Sequence, residues 1–252
     1  MATIRYEARE RVGVLTIERE ERRNALDGAL CDQLRAHLSA HHDLLAVVIT
    51  GAGSAFCAGA DLVTRFDDHG GDGFRPAFER ALDAVVDFPA PVIAAINGPA
   101  IGAGMQLAVA CDLRVAAPTA RLAIPGGRLG VLLSVANITR LAQLVGTGLA
   151  RDFLLTGREV TGAEAERIGL VQRVDAEPLL AAIALAADIA AFAPLTVQGH
   201  KRALNLVAAS AGPTKRARDA IGALEAAAFA SDDLAEGIAA FGEKRPPIFH
   251  GR

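Results

Sequence analysis

Two glycine-rich segments contain the residue types best suited to holding a reactive oxygen. The first, Gly51–Asp61 (GAGSAFCAGAD), follows an apolar run that ends at Thr50, and the second, Asn97–Asp112 (NGPAIGAGMQLAVACD), follows one that ends at Ile96. Small residues let a ligand approach the backbone closely, and a helix beginning in the second segment presents N–H groups that lack partners within the helix. Such N–H groups stabilise an oxygen that gains negative charge. The pattern therefore indicates either a site for an anion or a carbonyl, or two tight connections without a function.

Motifs for several other chemistries do not occur in the sequence. A dinucleotide-binding fingerprint needs a third glycine where Leu107 stands, and there is no GxxxxGK[ST], GxSxG or HExxH. The three cysteines, Cys31, Cys57 and Cys111, have no CxxC spacing, and the six histidines have no zinc-ligand spacing. We therefore predict no structural metal, and we interpret Cys57 and Cys111 as small buried residues rather than nucleophiles.

Short apolar runs alternate with helical patterns through the first two-thirds of the chain. This rhythm predicts an α/β fold with mostly parallel strands, in which ligands bind at the carboxyl ends of strands, where both glycine-rich segments lie. The predicted strands are Val12–Ile17, Ala46–Thr50, Pro91–Asn97 and Leu113–Ala116, and the predicted helices between them are Ala25–Leu38 and Ala103–Cys111.

The last third of the chain has a different composition. The strand signal fades after about Gly146, and three alanine-rich stretches read as helices: Leu179–Phe192, Thr196–Ala209 and Arg216–Ala230. Alanine permits close helix packing, so we expect these helices to serve contacts between subunits. Asp67–Gly73 (DDHGGDG) is predicted to be a surface loop.

Bulk properties exclude some classes of partner. The 252 residues are 52% hydrophobic and 22% charged, and the net charge of −3 gives no electrostatic reason to expect nucleic acid. No apolar run reaches the ~18–20 residues of a membrane span, and Met1–Tyr6 does not begin a signal peptide. We predict a cytoplasmic protein.

Short motifs are spread over nearly the whole chain. In chain order they are Arg22–Leu26 (RRNAL), Phe56–Leu62 (FCAGADL), Pro91–Ile101 (PVIAAINGPAI), Cys111–Val115 (CDLRV), Leu155–Gly157 (LTG), Ile168–Val171 (IGLV) and Glu236–Arg245 (EGIAAFGEKR). In this order and spacing the set resembles the crotonase superfamily, the enoyl-CoA hydratases and isomerases. It is similar to actinobacterial members that lack both catalytic glutamates.

The resemblance implies a fold and an assembly. We expect a ClpP/crotonase-like spiral of βαβ turns over residues 1–195, followed by a C-terminal helical trimerisation region over residues 196–252. Subunits would join as a homotrimer or a dimer of trimers. No cofactor is expected to be bound permanently, and a fatty acyl-CoA thioester is the expected ligand or substrate.

The resemblance also assigns roles to individual residues. The backbone N–H groups of Ala60 and Ala103 would form an oxyanion hole for the thioester carbonyl, and Ala58 and Ala60 would line the adenine end through their carbonyls. Arg22 or Arg23, together with Lys244 of the same or a neighbouring subunit, would face the phosphates, or else these cations are ordinary solvated charges. Three further residues complete the predicted ligand-binding set: Asp61, Leu62 and Gly102.

The sequence departs from the family where hydratases carry two glutamates that hold and activate water. The first position is Gln106, whose amide is not basic, and the second is Gly126, which has no side chain. A third difference is Leu133–Asn137 (LSVAN), where the family has a glycine-rich turn, and these residues predict a drier cavity. No glutamate occurs between Glu79 and Glu159, so we expect no carboxylate beside the two amides.

Three functions remain open at this level. The first is an acyl-CoA-binding protein with weak or absent hydratase activity, and the second is an active hydratase or isomerase of fatty acid metabolism that uses other residues. The third is a structural or regulatory oligomer that binds no CoA. Polar residues that could face the cavity are Arg128, Ser134, Asn137 and Arg140, none of them a base at neutral pH.

Overall fold

The computed structural model describes residues 2–61, 73–210, 219, 226 and 229–248. Its strands are β1 Thr3–Arg9, β2 Val12–Glu18, β3 Ala46–Gly51, β4 Val92–Ile96, β5 Ala100–Ile101, β6 Leu113–Ala116, β7 Arg121–Ala123, β8 Glu159–Thr161 and β9 Arg173–Val174. Its helices are α1 Gly28–Ala40, α2 Phe74–Asp87, α3 Ala103–Ala110, α4 Val135–Thr156, α5 Gly162–Arg167, α6 Pro178–Ala190, α7 Pro194–Ser210 and α8 Asp232–Glu243. Short 3-10 turns lie at Glu20–Arg22 and Gly126–Arg128.

The main sheet has the strand order β1-β2-β3-β4-β6-β9. The β1–β2 hairpin is antiparallel, and every other pairing in this sheet is parallel. The central strands β3 and β4 are buried at every residue, as expected of parallel strands that are covered on both faces.

Alternate residues of the central strands serve two different hydrophobic clusters. Val47 and Ile49 of β3 pack in the larger cluster, which includes residues of α1, α2 and α3. Ala46 and Val48 point to the opposite face, which is covered by α6. Because successive side chains point to opposite faces, the sheet packs between two layers of helices. This packing fixes the strand ends that carry the glycine-rich segments.

A second, smaller sheet begins in the second glycine-rich segment. It has the order β5-β7-β8, with β5 and β7 parallel. Isolated parallel bridges join Cys57 to Ala100 and Leu26 to Ala60. The first glycine-rich segment is thus held between the chain before α1 on one side and β5 on the other, so the two segments lie side by side.

The predicted strands and the predicted helices that fall on described residues are confirmed within a few residues of their ends. β6 has the predicted bounds, whereas α1 begins at Gly28, three residues later than predicted, because Asp27 caps it by accepting from the Leu30 N–H at 2.8 Å. Two short strands, β8 and β9, follow Gly146, beyond which the sequence gives little strand signal.

Some predictions concern residues that the structure does not describe. Most of the predicted loop Asp67–Gly73 and of the predicted helix Arg216–Ala230 lies outside the described residues. The boundary at residue 195 between core and trimerisation region stays a prediction. Among the residues that the structure describes, no single helix has the length and apolar composition of a membrane span. Helix α6 and the Pro194–Leu206 part of α7 have that length and composition only when taken together, and they are bent by 110° relative to each other.

Candidate functional site

One large cavity of about 440 Å³ lies where the two glycine-rich segments meet. Its walls are mainly apolar, and they come from α2, from the chain on either side of the 3-10 turn at Gly126–Arg128, and from the end of the chain. The apolar side chains that line it are Phe74, Phe78, Ile101, Ile124, Leu129, Val131, Leu132, Leu133, Phe229 and Phe241. An apolar cavity with a few convergent polar groups is the usual form of a small-molecule site.

The N–H group of Ala60 faces away from the chain segment to which Ala60 is bridged. Leu26 uses its own two backbone groups in this bridge, donating to the Gly59 carbonyl at 2.8 Å and accepting from the Asp61 N–H at 2.7 Å. In a parallel bridge the middle residue of the partner segment points its N–H to the other side. Ala60 lines the cavity, and its N–H has no hydrogen-bond partner among the described residues.

The N–H group of Ala103 is free for a different reason, because Ala103 is the first residue of α3. The N–H groups of a first helical turn have no partner within the helix, and they carry the positive end of its dipole. Gly102 precedes the helix with φ of +56°, a left-handed backbone conformation that favours glycine. Ala103 also lines the cavity, and no described residue accepts its N–H.

Close contact between the two segments brings these amides to one cavity. A Cβ added to Gly104 would lie 2.1 Å from the Cys57 carbonyl oxygen, so only glycine lets α3 pack this closely on the first segment. The Ile101 N–H donates to the same carbonyl at 3.0 Å. The two glycine-rich segments therefore lie in direct contact, with glycine at the point of closest approach.

Most of the predicted site residues line this cavity. They are Arg22, Arg23, Ala58, Ala60, Asp61, Gly102, Ala103, Gln106 and Gly126. Lys244 does not line it; this exposed residue caps the C-terminus of α8 with φ of +55°. A role for Lys244 in a neighbouring subunit stays a prediction, and Leu62 lies outside the described residues.

The carboxylate of Asp61 is engaged in a structural ion pair. It is buried, and its Oδ2 accepts from Arg19 Nη2 at 2.6 Å, while Arg19 Nη1 also contacts Asp27 at 3.1 Å. A buried carboxylate that is paired and hydrogen-bonded in this way fixes the local fold. Asp61 therefore borders the cavity with its negative charge already compensated by Arg19.

Glu79 of α2 is a site residue that the sequence analysis missed. Its side chain lines the cavity together with Gln106 and Ser134. The expectation of no carboxylate beside the two amides therefore overlooked Glu79, which lines the same cavity. It failed because it considered only the positions of the family motif, whereas Glu79 enters from a helix that precedes the second motif.

Hydrogen bonds tie Glu79 to the helix of the second motif. Asn137 Nδ2 donates to Glu79 Oε1 at 2.9 Å and to Gln106 Oε1 at 2.8 Å, and Arg140 Nη1 donates to Asn137 Oδ1 at 2.8 Å. Because arginine only donates, Asn137 must turn its oxygen to Arg140 and its NH₂ to the other two residues. Gln106 in turn presents its oxygen to Asn137, so its NH₂ group has no partner among the described residues.

The environment of Glu79 favours its neutral form. Burial raises the pKa of this carboxyl above its ordinary value, against the opposing effects of the Ser134 hydroxyl and the Arg140 charge, which stabilise the anion. A carboxyl whose pKa is raised by desolvation inside a cleft is a candidate for acid–base chemistry.

The segment Leu133–Asn137, which predicts a drier cavity, contributes both apolar and polar groups. Leu133 contributes an apolar wall, but Ser134 and Asn137 supply the polar groups around Glu79. Ser134 also caps α4 by accepting from the Asn137 N–H at 3.3 Å. Of the other polar candidates, Arg140 stands behind Asn137, and Arg128 points to the Gly157 carbonyl.

Gly126 lines the cavity at a crowded point of the backbone. A Cβ at this position would lie 2.6 Å from the Val131 carbonyl oxygen, and the Val131 N–H donates to the Gly126 carbonyl at 2.9 Å. The backbone can follow this path along the cavity wall because residue 126 has no side chain.

Other titratable groups of the core have structural roles. Cys57 and Cys111 are buried, as predicted, and burial raises the pKa of each thiol to about 12, which disfavours the thiolate that a nucleophile needs. Asp112 accepts from Lys201 Nζ at 2.7 Å and from the Val92 N–H at 2.7 Å, which ties α7 to the sheet. Within the described ranges, no cluster of three metal-binding side chains occurs.

Comparison with known proteins identifies the family. Residues 7–252 match the sequence profile described as enoyl-CoA hydratase/isomerase. The probable enoyl-CoA hydratase echA6 of Mycobacterium leprae is 42% identical over 254 residues, which cover 95% of this chain and 96% of the relative.

Solved structures of similar proteins agree with the described fold. Carnitinyl-CoA hydratase from Mycobacterium avium superimposes with a TM-score of 0.85 at 33% identity, covering 98% of each chain. Methylmalonyl-CoA decarboxylase in complex with 2-nitronate-propionyl-CoA has a TM-score of 0.90 at 23% identity, covering 99% of this chain and 98% of the other, and this likeness concerns the fold alone. The predicted crotonase fold is confirmed, and the chain belongs to the enoyl-CoA hydratase/isomerase family of the crotonase superfamily.

Proposed function

We propose that the cavity binds a fatty acyl-CoA thioester and holds its carbonyl oxygen with the N–H groups of Ala60 and Ala103. The observation that carries this proposal is that both N–H groups belong to residues of one cavity and neither is used within the described fold. Two backbone donors that share one oxygen in an apolar cavity would stabilise it more strongly than water does, because they are fixed in place and poorly screened.

The two ends of the cavity suit the two ends of such a ligand. The apolar walls built from Phe78, Val131 and Leu133 match a hydrocarbon chain. Arg22 and Arg23 are exposed at the rim and match the phosphates of CoA, with Lys244 of a neighbouring subunit as a further cation. The carbonyls of Ala58 and Ala60 remain the proposed contacts of the adenine. Carnitinyl-CoA hydratase from Mycobacterium avium, which is 33% identical and is named for a CoA thioester, supports this class of ligand.

We further propose that hydration of enoyl-CoA is weak or absent. Addition of water needs groups that hold and deprotonate it, and the two positions that the family uses for this are Gln106 and Gly126. The Gln106 oxygen already accepts from Asn137, and its amide is not basic. Gly126 offers no side chain. The homotrimeric or hexameric assembly and the cytoplasmic location remain proposals drawn from the resemblance.

Calorimetric titration with a matched pair of ligands tests the carbonyl contact. Octanoyl-CoA and its thioether analogue share the chain and the CoA, but the analogue lacks the carbonyl oxygen. We expect the thioester to bind at micromolar concentration and the thioether at least tenfold more weakly, because burying an amide donor without a partner costs about 1–3 kcal/mol. Equal affinities would contradict the oxyanion hole, and no binding of either ligand would remove the proposal as a whole.

A hydratase assay with crotonyl-CoA, followed by loss of its conjugated absorbance, tests the second part. We expect no turnover above the rate without protein. Rapid hydration by the wild-type chain would show that other residues activate water and would favour an active hydratase.

A further inference from the structure

Glu79 has no role in the binding proposed above, although its carboxylate faces the same cavity. The other carboxylates that line the cavity are accounted for among the described residues. Asp61 is paired with Arg19 at 2.6 Å, and Glu21 is exposed at the rim beside Arg22. Glu79 alone among them is partly buried, lies among the apolar walls and has no salt bridge to a described residue.

The position of Glu79 relative to α3 follows from its hydrogen bonds. Two hydrogen bonds that leave one planar NH₂ group diverge by about 120°, so the accepting oxygens of Glu79 and Gln106 lie about 5 Å apart across Asn137. Gln106 stands three residues after Ala103, on the same face of α3, and helical side chains lean back toward the N-terminus. Glu79 therefore sits close to the end of the cavity where the Ala103 N–H is exposed.

We infer that Glu79 is the base that removes a proton from the carbon next to the thioester carbonyl, so that the site supports proton transfer along a fatty acyl or enoyl chain rather than addition of water. This inference rests on the proposed binding of an acyl-CoA. It extends that proposal by naming the reacting group and the class of reaction.

The proposed step is balanced without any co-reactant. The Glu79 carboxylate takes a proton from the α carbon, the C–H electron pair forms a carbon–carbon double bond to the carbonyl carbon, and the carbonyl π pair moves to the oxygen held by Ala60 and Ala103. Return of the proton to the α carbon restores the thioester. When the chain has a double bond between the β and γ carbons, return at the γ carbon moves that double bond into conjugation.

No neighbour of Glu79 among the described residues can act as a second base that activates water. Addition of water to the β carbon needs a further group to hold and deprotonate that water, and Gln106, Ser134 and Asn137 are all neutral. The charged groups that act on Glu79 are Arg75 and Asp83 of its own helix and Arg140 of α4. Asp83 is exposed and bonded to Arg140 at 2.7 Å, so it is turned away from the cavity.

Exchange of α protons in heavy water tests this inference directly. Octanoyl-CoA is incubated with the full chain in D₂O, and the mass of the recovered thioester reports uptake of deuterium. We expect the wild type to catalyse exchange and Glu79→Gln to lose it by about 10²–10⁴-fold, the usual contribution of a general base. Asp87→Asn removes an exposed carboxylate from the same helix and should exchange like the wild type.

A second assay and a binding control separate the outcomes. Conversion of 3-decenoyl-CoA to its conjugated isomer, followed by ultraviolet absorbance, should depend on Glu79 in the same way, while calorimetry should show that Glu79→Gln still binds octanoyl-CoA. Binding without exchange in the wild type, or equal exchange in Glu79→Gln, overturns this inference and leaves the binding proposal intact. Absence of acyl-CoA binding by the wild type overturns both.

The pH profile gives a readout that a purely structural role would not. Since the charged carboxylate is the active form, the exchange rate should rise with pH and level off above the pKa of Glu79. Ser134→Ala removes a hydroxyl that stabilises the anion, and it should move this inflection to higher pH. An unchanged inflection in Ser134→Ala would assign the titration to another group.

Discussion

Glu79 is a side chain whose charge opposes folding. Burial raises its pKa in the folded chain above the value near 4.3 that an exposed glutamate has. The folded state therefore holds this proton more tightly than the unfolded state. Its contribution to stability is present below the unfolded pKa and is lost as the pH rises through the folded pKa. Residues that keep a desolvated charge in a cavity commonly trade stability for function.

Replacement of Glu79 by glutamine should consequently stabilise the chain in a pH-dependent manner. Glutamine keeps the shape and can still accept from Asn137, but it cannot ionise. We expect the melting temperature of Glu79→Gln to exceed that of the wild type by more at pH 7.5 than at about pH 4. The exposed Glu10, replaced by glutamine, is the control. A difference that does not change with pH would show that Glu79 is not desolvated.

Gly126 shows that the second missing glutamate cannot simply be restored. An added Cβ would approach the Val131 carbonyl oxygen to 2.6 Å, so Gly126→Ala should destabilise the chain by about 1–3 kcal/mol, and Gly126→Glu should do so as well. A Cβ added to the adjacent Gly127 would meet no atom within 4 Å, so Gly127→Ala is the matched control. Urea denaturation measures both. Equal stabilities of the two alanine variants would contradict a backbone constraint at 126.

At the scale of elements, the site depends on how closely α3 approaches the first glycine-rich segment. Gly104→Ala would place a Cβ 2.1 Å from the Cys57 carbonyl oxygen, a contact that backbone movement alone can relieve. We expect this variant to lose about 1–3 kcal/mol or more of stability and to bind octanoyl-CoA at least tenfold more weakly, because the Ala103 N–H would move with α3. Urea denaturation and calorimetry measure the two effects.

An exposed helical glycine supplies the control for that substitution. Gly148 of α4 has no atom within contact distance of an added Cβ, so Gly148→Ala should stabilise the chain by about 0.5–1 kcal/mol through its lower entropy when unfolded. Its ligand affinity should be that of the wild type. If Gly104→Ala kept full affinity, the position of α3 would not determine the carbonyl site.

The elements that the sequence predicts well are those with continuous burial. β3 and β4 are buried at every residue, so their apolar runs are unbroken, whereas β1 is an edge strand with several half-buried or exposed residues and gives no such signal. β5, β7, β8 and β9 have two or three residues each, too few for a periodic pattern. Inside α4, Gly146 breaks the helical conformation with φ of +80°, which hid that helix from the sequence analysis.

The candidate site was predictable to the extent that it is made of backbone. Small residues at fixed spacing indicate which amides are available, and Ala60 and Ala103 line one cavity as expected. Glu79 was not predictable in this way. It lies at the edge of the buried stripe of α2, between the buried residues Phe78 and Leu82, and in sequence it looks like any polar residue that borders an amphipathic helix. Only the packing of α2 beside α3 turns it toward the cavity.

At the scale of the whole molecule, the last third of the chain joins the core but leaves apolar side chains uncovered. Lys201 of α7 is buried and bonds to the Val85 and Ala90 carbonyls and to Asp112. On the same helix, Leu195 is 87% exposed and Leu206 is 62% exposed, and their spacing of eleven residues brings both to one face of α7. Clustered exposed apolar side chains mark contact surfaces more often than free surface, so a single chain would be incomplete at α7.

Association of subunits through α7 should therefore be measurable and sensitive to charge. We expect light scattering to give a mass near three or six times the 26.1 kDa of one chain. The double variant Leu195→Asp, Leu206→Asp should lower that mass, because an aspartate in an apolar interface must be desolvated without a partner. Asp188→Asn, which removes an exposed charge from α6, is the control and should assemble like the wild type. A wild-type mass of one chain at micromolar concentration would contradict the trimer, and an unchanged mass in the aspartate variant would place the interface elsewhere.

If assembly also brings Lys244 of a neighbouring subunit to the rim, the aspartate variant should bind octanoyl-CoA more weakly, and that difference should shrink at high salt, where phosphate contacts are screened.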